Sequence, residues 1–364
     1  MASINRRLML AGGGVLVAGA VSGVGYGHLT SMVDYDAAMI ETRSALAADP
    51  GAAELIRFAT LAPNGHNTQP WRFRVERDAI TILPDPARRT PVVDPDDHHL
   101  FVALGAAAEN LMLAAAAHER SGVAVFDPAS QSIRFAAASQ RAMPSPLYDA
   151  IPHRQSNRSD YEGRSVSPID LATLAAAAGV PGVALALITD RAHVGQVIDL
   201  VVAGNTAQQG NAAFVRELKS WIRFNPQQAL ATRDGLFSAA SGSPIVPAWA
   251  GPWLYDRVFD VTADNDRYAR QLRSSAGIAV FTGARADPAH WVAVGHAVQR
   301  FALQATALGL ATAFVNQPVE VPHLRPALAA LIGVPAQRPD IVMRFGHAPP
   351  MPFSARRAVS DMLI

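Results

Sequence analysis

Cysteine is absent from the chain, and lysine occurs once, as Lys219. Without cysteine there can be no disulfide, thiolate metal site, iron–sulfur cluster or cysteine nucleophile. That absence fits any redox compartment. The near-absence of lysine makes almost all positive charge guanidinium. Charged residues are only 17% of the 364, and the net charge is +1. No basic stripe suits a phosphate backbone, so nucleic acid is not an expected partner. Also missing are a G-x-S-x-G, a Walker A loop and a G-x-G-x-x-G after a strand; the glycines at 12–14 lie in an apolar run. Hydrolase, P-loop and dinucleotide-fold readings therefore have no anchor. Half the residues are hydrophobic, a composition for a compact fold able to enclose a cofactor.

The first thirty residues read as a signal. Arg6-Arg7 precede an apolar, glycine-rich run from Leu8 to Val24, and no acidic residue comes before Asp34. The run is short of the ~20 apolar residues of a comfortable spanning helix. Ala18-Gly19-Ala20 offers a cleavage site, as in a secretory signal. Asn5-Arg6-Arg7-Leu8-Met9-Leu10 resembles a twin-arginine export motif. Export to the periplasm or cell envelope is the expectation. The alternative is a retained anchor, associating with a membrane through residues 8–25.

Beyond it, residues 52–61 read as a helix ending before Pro63. Arg72–Val75 and Ala79–Leu83 read as strands around a polar turn. Asp94-Pro95-Asp96-Asp97 would cap a long helix from about His98 to Arg120, apolar nearly all round and so buried on most faces. Val123–Phe126 and Ser132–Phe135 read as strands closing a first unit. A second unit begins near Ile151. Leu104-Gly105 through Glu109-Asn110 falls on Val294-Gly295 through Gln299-Arg300 at a constant offset of 190. A glycine near the start of a buried helix, followed by a polar pair, suggests a duplicated unit packed with pseudo-symmetry. The second unit carries extra sequence at roughly 200–275, with Trp221, Trp249, Trp253 and the Asp234-Gly235 turn. Such an aromatic-rich insert reads as a lid or as surface padding.

The most specific string is Ala62-Pro63-Asn64-Gly65-His66-Asn67-Thr68-Gln69-Pro70-Trp71. Two prolines fix a loop, Gly65 permits close backbone approach, and Asn67 and Gln69 offer carboxamides. It reads as a ligand loop, with His66 as a hydrogen-bonding spacer. Asp94, Asp96, Asp97, His98 and His99 read as helix-cap chemistry and not as a metal site, since adjacent histidines at a helix start should face different ways. No metal is expected.

The loop resembles the A-P-S-x-x-N-x-Q-P-W segment of the FMN-dependent nitroreductase family. Arg154-Gln155-Ser156-Asn157-Arg158, followed by Tyr161, resembles the family's R-x-S-x-R-x-[FY] signature. Ala305 through Phe314 is similar to its A-x-x-L-G-L-G-[TS] helix end, with Ala311 in place of the second glycine. Leu331-Ile332-Gly333-Val334-Pro335, Val342 through Gly346 and the terminal Arg356-Arg357 resemble its closing loop, strand and phosphate-binding tail. Asn316 through Pro322 points to the two-repeat, Acg-like branch.

The resemblance implies an α+β fold in which two fused nitroreductase-like repeats, at 31–145 and 146–364, form an intramolecular pseudo-dimer. Only the first repeat has the Asn67/Gln69 loop. Only the second has the Arg154/Ser156/Arg158 string, the first offering just an isolated Arg43-Ser44. Together they supply parts for one FMN. By resemblance, Arg154, Ser156 and Arg356 would hold its phosphate and ribityl chain, and Arg158 would face the pyrimidine edge. Pro63, Asn64 and Gly65 would cross from the other repeat, and Asn67 and Gln69 would order that loop or reach the ring. The backbone at Leu308, Gly309 and Leu310 would approach N5. The implied activity is electron transfer from NAD(P)H through FMN to a nitroaromatic, quinone or similar acceptor, with no obligatory side-chain acid or base. The alternative is a protein that sequesters FMN under a lid.

Overall fold

The computed structural model describes residues 31–138 and 140–364; the export motif and apolar run lie outside them. Helices α1 (Val33–Thr42) and α2 (Ala52–Ala59) lead into strands β1 (Trp71–Val75) and β2 (Ala79–Pro84). Helix α3 (His98–Ala117) then crosses to β3 (Gly122–Asp127) and β4 (Ser132–Ala137). These four strands form an antiparallel sheet in the order β1-β2-β4-β3. Phe73 pairs with Ile82, and Ile82 with Ile133, so apolar residues share one face. On the edge strand β3, Val123 and Val125 point to solvent.

Helices α4 (Pro146–Ala150) and α5 (Pro168–Ala177) lead to β5 (Val183–Ile188) and α6 (Arg191–Gln209). There follow α7 (Ala212–Trp221), β6 (Ile222–Arg223), α8 (Pro226–Thr232), β7 (Leu236–Phe237), α9 (Gly251–Val258) and α10 (Val261–Arg273). The chain then returns through β8 (Gly277–Gly283), α11 (Pro288–Ala307), β9 (Ala311–Phe314), α12 (Gln317–Glu320), α13 (Arg325–Leu331) and β10 (Ile341–Gly346). The second sheet runs β5-β8-β10-β9, again antiparallel. In both sheets the third and fourth strands in chain order exchange places, and a long helix joins the second strand to the third. The fold is mixed α+β.

Those two joining helices, α3 and α11, are each 20 residues long and begin 190 residues apart. They lie against each other with glycine at the contact. A Cβ on Gly105 would strike the Val292 carbonyl, and one on Gly295 would strike the Val102 carbonyl. Close backbone approach needs glycine there, and the same offset relates the two contacts. Polar pairs follow: Arg300 Nη1 donates to Glu109 Oε1 at 2.8 Å, and Gln299 Nε2 to Asn110 Oδ1 at 2.6 Å. Leu104, Leu111, Val298 and Phe301 belong to one apolar core spanning both sheets. Helix α3 is long and apolar enough to cross a membrane by composition, but here it is core. Its cap comes from Asp94, whose carboxylate accepts from the His99 and Leu100 amides at 3.0 Å each.

Of the segment around 200–275, α6 and α10 are framework. Val194, Val197 and Val201 pack with Ala269 and Leu272 against the second sheet. What stands off from that layer is α7 to α9. This region packs on α1 and the C-terminal tail through Tyr35, Met39, Phe237 and Ala355.

Candidate functional site

The loop after α2 departs from ordinary backbone geometry. His66, Asn67 and Gln69 all have positive φ, at 47°, 53° and 55°. Left-handed backbone is unfavourable for residues with a Cβ, and a run of it persists only where the surroundings hold it. The surroundings do. Asn64 Oδ1 accepts from the Gln69 amide at 2.8 Å. The Asn67 carboxamide donates to the Gly235 and Ala355 carbonyls at 3.1 and 3.0 Å and accepts from Arg356 Nη1 at 2.9 Å. Gln69 Nε2 donates to the Arg233 carbonyl, and its Oε1 accepts from the Arg357 amide, both at 2.8 Å. Of the two roles expected for Asn67 and Gln69, these bonds serve ordering of the loop. Pro63 is buried beneath it, Asn64 is half-buried, and Gly65 lies exposed at its tip.

The same bonds locate the covering element. The Asp234-Gly235 turn seals the loop, since Gly235 N also donates to the Asn67 carbonyl at 3.1 Å. Two of the three tryptophans do not: Trp249 is 73% exposed and Trp253 60%. An indole confers a lid only when it faces inward, and these face solvent.

Behind the loop three guanidinium groups converge. Arg356 donates to the carbonyls of Thr60, Leu61 and Ala62. Arg154 Nη2 donates to the same Leu61 carbonyl at 2.8 Å. Arg43, just past α1, donates to the Pro152 carbonyl at 2.9 Å and stacks on Phe353 at 3.8 Å. None of the three is ion-paired among the described residues. Arg43 Nε and Arg154 Nε and Nη1 are buried with no hydrogen-bond partner. Burial, then the Arg356 charge, lowers Arg154 to about 9. Arg356 falls to about 10 through burial, against which Tyr35 works. Burial, then Arg356 and Arg154, holds Arg43 well below its ordinary value. The carbonyls ending α2 supply only partial negative charge. Buried like charges with free N–H groups and no carboxylate are chemically suited to a multiply charged anion. The sequence named Arg154 and Arg356. Arg43 was visible there only as an isolated Arg-Ser pair, and the signal missed was its place at the end of a helix that folds back.

Ser156 and Arg158 lie on the segment that carries Arg154. Ser156 bridges to Thr312 beside β9, and the Asn157 amide donates to the Thr312 carbonyl at 2.8 Å. Arg344, fully buried on β10, ties this segment down. Its Nη2 donates to the Asn157 and Ser159 carbonyls at 3.0 and 2.8 Å, and its guanidinium lies 3.9 Å from the Tyr161 ring centre. Arg158 is not ion-paired among the described residues. Burial lowers its pKa, partly opposed by Tyr268. His66 carries more than a spacer's burden, because its Nδ1 is buried without a partner. Burial, then Arg158 and His99, lowers it to about 4, so its imidazole is neutral at ordinary pH.

The amides of Leu308, Gly309 and Leu310 donate back to Gln304 or Ala305, Thr306 and Ala305, with Gly309 at φ 71° closing α11. Their N–H groups close the end of α11. His98 and His99 do not face apart; their ring centres are 4.6 Å apart. With Asp94 they place ligand-type atoms within 4.8 Å of one another. Asp94 is engaged in the helix cap; His98 Nε2 lies 2.9 Å from Asp340 Oδ1 and His99 Nδ1 3.8 Å from Glu320. His98 Nε2, His99 Nε2 and Asp340 Oδ1 are buried without a hydrogen-bond partner.

Comparison with known proteins places this geometry in context. Residues 151–347 match the model described as the nitroreductase family. Rv3131 of Mycobacterium tuberculosis, named for an inferred NAD(P)H nitroreductase activity, is 27% identical over 320 residues, covering 85% of this chain and 90% of that protein. Acg of the same organism, named likewise, is 25% identical over 321 residues, covering 84% and 93%. Among solved structures, the FMN-dependent nitroreductase NfnB of Mycobacterium smegmatis in complex with NADPH aligns with 60% of this chain and 91% of its own. Its identity to this chain is 12% and the TM-score 0.39. Iodotyrosine deiodinase bound to FMN and 3-iodo-L-tyrosine aligns with 58% of this chain and 95% of its own, at 15% identity and a TM-score of 0.38.

Proposed function

The chain belongs to the nitroreductase family, and from that premise we propose that it is an FMN-binding oxidoreductase using NAD(P)H. One flavin would serve each chain, and a nitroaromatic, quinone or similar flat molecule would be the acceptor. The observation that carries the proposal is the set of three buried arginines with no carboxylate, two of them holding unpartnered N–H groups. A phosphate dianion satisfies such a set, and the residues therefore fit FMN. Arg154, Arg356 and Arg43 would hold the phosphate, with Ser156 toward the ribityl chain. Arg158 would keep positive charge near the pyrimidine edge. Asn67 and Gln69 hold the loop of Pro63, Asn64 and Gly65 in place. His66, neutral and without a partner, offers a hydrogen bond to whatever enters beside it. Bound there, FMN would supply the hydride acceptance and return that the reaction needs.

The pairing of one loop with one arginine string goes with two fused repeats, 31–145 and 146–364, arranged as a pseudo-dimer. The common strand order and the reciprocal glycine contacts of α3 and α11 support this. The second reading, a protein that sequesters FMN, draws on the turn at Asp234-Gly235 bonded directly to the loop. Export by the twin-arginine leader belongs to the same proposal, and fractionation of cells expressing the full chain tests it.

The discriminating experiment follows the visible spectrum of the full-length protein anaerobically as NADPH, then NADH, is added. A yellow protein that bleaches, then recovers its colour with a quinone or nitroaromatic, is expected. A yellow protein that neither donor bleaches would favour sequestration. A colourless protein that takes up no added FMN would overturn both readings.

A further inference from the structure

Beside the Gln69 loop lies a separate cavity of about 410 Å³, walled by the first sheet, the turn after β2, the α7–β7 region and the C-terminal tail. That volume is in the lower range of small-molecule sites. Four guanidinium groups, from Arg72, Arg88, Arg223 and Arg357, line it against only two carboxylates, Asp85 and Asp234. The pairing is uneven. Asp234 is saturated, with Oδ1 at 2.6 Å from Arg223 Nη2 and Oδ2 at 2.8 Å from Arg88 Nη1. Arg223 is committed as well, its remaining N–H groups going to Thr232 and the Ser220 and Ile222 carbonyls. Asp85 is shared loosely, 3.3 Å from Arg72 Nε and 3.6 Å from Arg357 Nη1, while Oδ1 accepts from the Ala87 amide. Among the lining residues two positive charges are left over on Arg72, Arg88 and Arg357. Arg88 also donates to the Thr68 carbonyl and Arg357 to the Gln69 and Asp361 carbonyls, and the Asp361 charge acts on Arg357 from outside the lining. Burial, then the Arg88 charge, lowers the pKa of Arg357. Trp221, half-buried, forms part of the wall.

We propose that this cavity is a second ligand site, distinct from the three-arginine site, for a phosphate monoester carried on a flat ring, such as a nucleoside monophosphate. Planar guanidinium forks bind phosphate oxygens in pairs, and the surplus of two charges matches a phosphate dianion. The Trp221 indole, over which the Arg223 guanidinium already lies at 5.9 Å from the ring centre, would pack against the ring. Because the walls come from both the sheet body and the α7–β7 region, an occupant bridges the two. It adds to the clamp that Asp234 already makes between Arg88 and Arg223.

The test is calorimetric titration of the full-length protein, as purified, with adenosine 2′-monophosphate, inorganic phosphate and adenosine in turn. The nucleotide should bind at one site, phosphate more weakly at the same site, and adenosine not measurably. Arg72→Gln, at a half-exposed position, should weaken nucleotide binding by roughly tenfold to a hundredfold, the loss of one or two charge-assisted bonds. Trp221→Leu should erase the advantage of nucleotide over phosphate. Flavin content, read from visible absorbance, should not change in either variant, which separates this site from the proposed FMN site. The proposal is overturned by absence of binding to the wild-type chain, by binding indifferent to Arg72→Gln, or by a nucleotide that binds only as it displaces flavin.

Discussion

The two sheets share a strand order, yet the polypeptide that reaches them differs. Ahead of the first comes a strained loop whose amides are held from outside; ahead of the second comes a string of arginines pinned by Arg344. The joining helices α3 and α11, by contrast, match in length, glycine position and polar pairing. The difference teaches where repetition is compelled. Two backbones that touch constrain each other equally, so both must keep glycine. The proposed FMN site, drawing on both halves, would need each contribution only once, so each half would be free to lose what the other supplies.

The largest effect should come from breaking the matched part. Gly105→Val and Gly295→Val each drive a side chain into the facing carbonyl. Each should cost more than about 3 kcal/mol, read as lost soluble protein or a lower Tm. A variant tolerated on one side alone would mean that the two contacts are not equivalent.

Next comes the unmatched part. Removing Arg43 would relieve repulsion among the buried cations and, in the proposed FMN complex, remove a phosphate contact. Arg43→Ala should therefore leave the apo-protein's Tm unchanged or raised while weakening FMN binding roughly tenfold to a hundredfold. Fluorescence titration and thermal melts would show these opposite signs, and a fall in both would reduce Arg43 to a structural prop.

The smallest effect is on pH. Burial, the first cause for each, lowers His66 to about 4 and His98 to about 3. In the unfolded chain both would take up protons near pH 6.5. A depressed histidine pKa means stability is full above that value and falls as the pH drops toward the folded value. Each histidine adds a slope of up to about 1.4 kcal/mol per pH unit. Position 288, the counterpart of His98 in α11, is Pro288, so this sensitivity belongs to the first half. Denaturant unfolding of wild type and His98→Gln between pH 7 and pH 5 should show a shallower slope in the variant.

Much of the framework was legible from local pattern. The strands around the polar turn at 76–78 and the long helix beginning at His98 lie within a residue or two of their expected limits, save that α3 ends at Ala117. Alternating or continuous apolar runs state which faces must be buried. Among the site residues, Asn67, Gln69, Arg154 and Arg356 do meet around one loop. Trp249 and Trp253 turn outward, a direction that side-chain chemistry alone does not state.

Composition and periodicity by themselves determined that no cysteine chemistry is available, and they located the strands of the first sheet and the long helix beginning at His98. Those are local consequences of burial and backbone geometry. Only the tertiary structure decided that Arg43 joins Arg154 and Arg356, that Gly235 closes on Asn67, and that four arginines share a cavity with two aspartates. Such meetings between residues more than a hundred positions apart depend on how the helices and sheets dock, and docking is a property of the whole core.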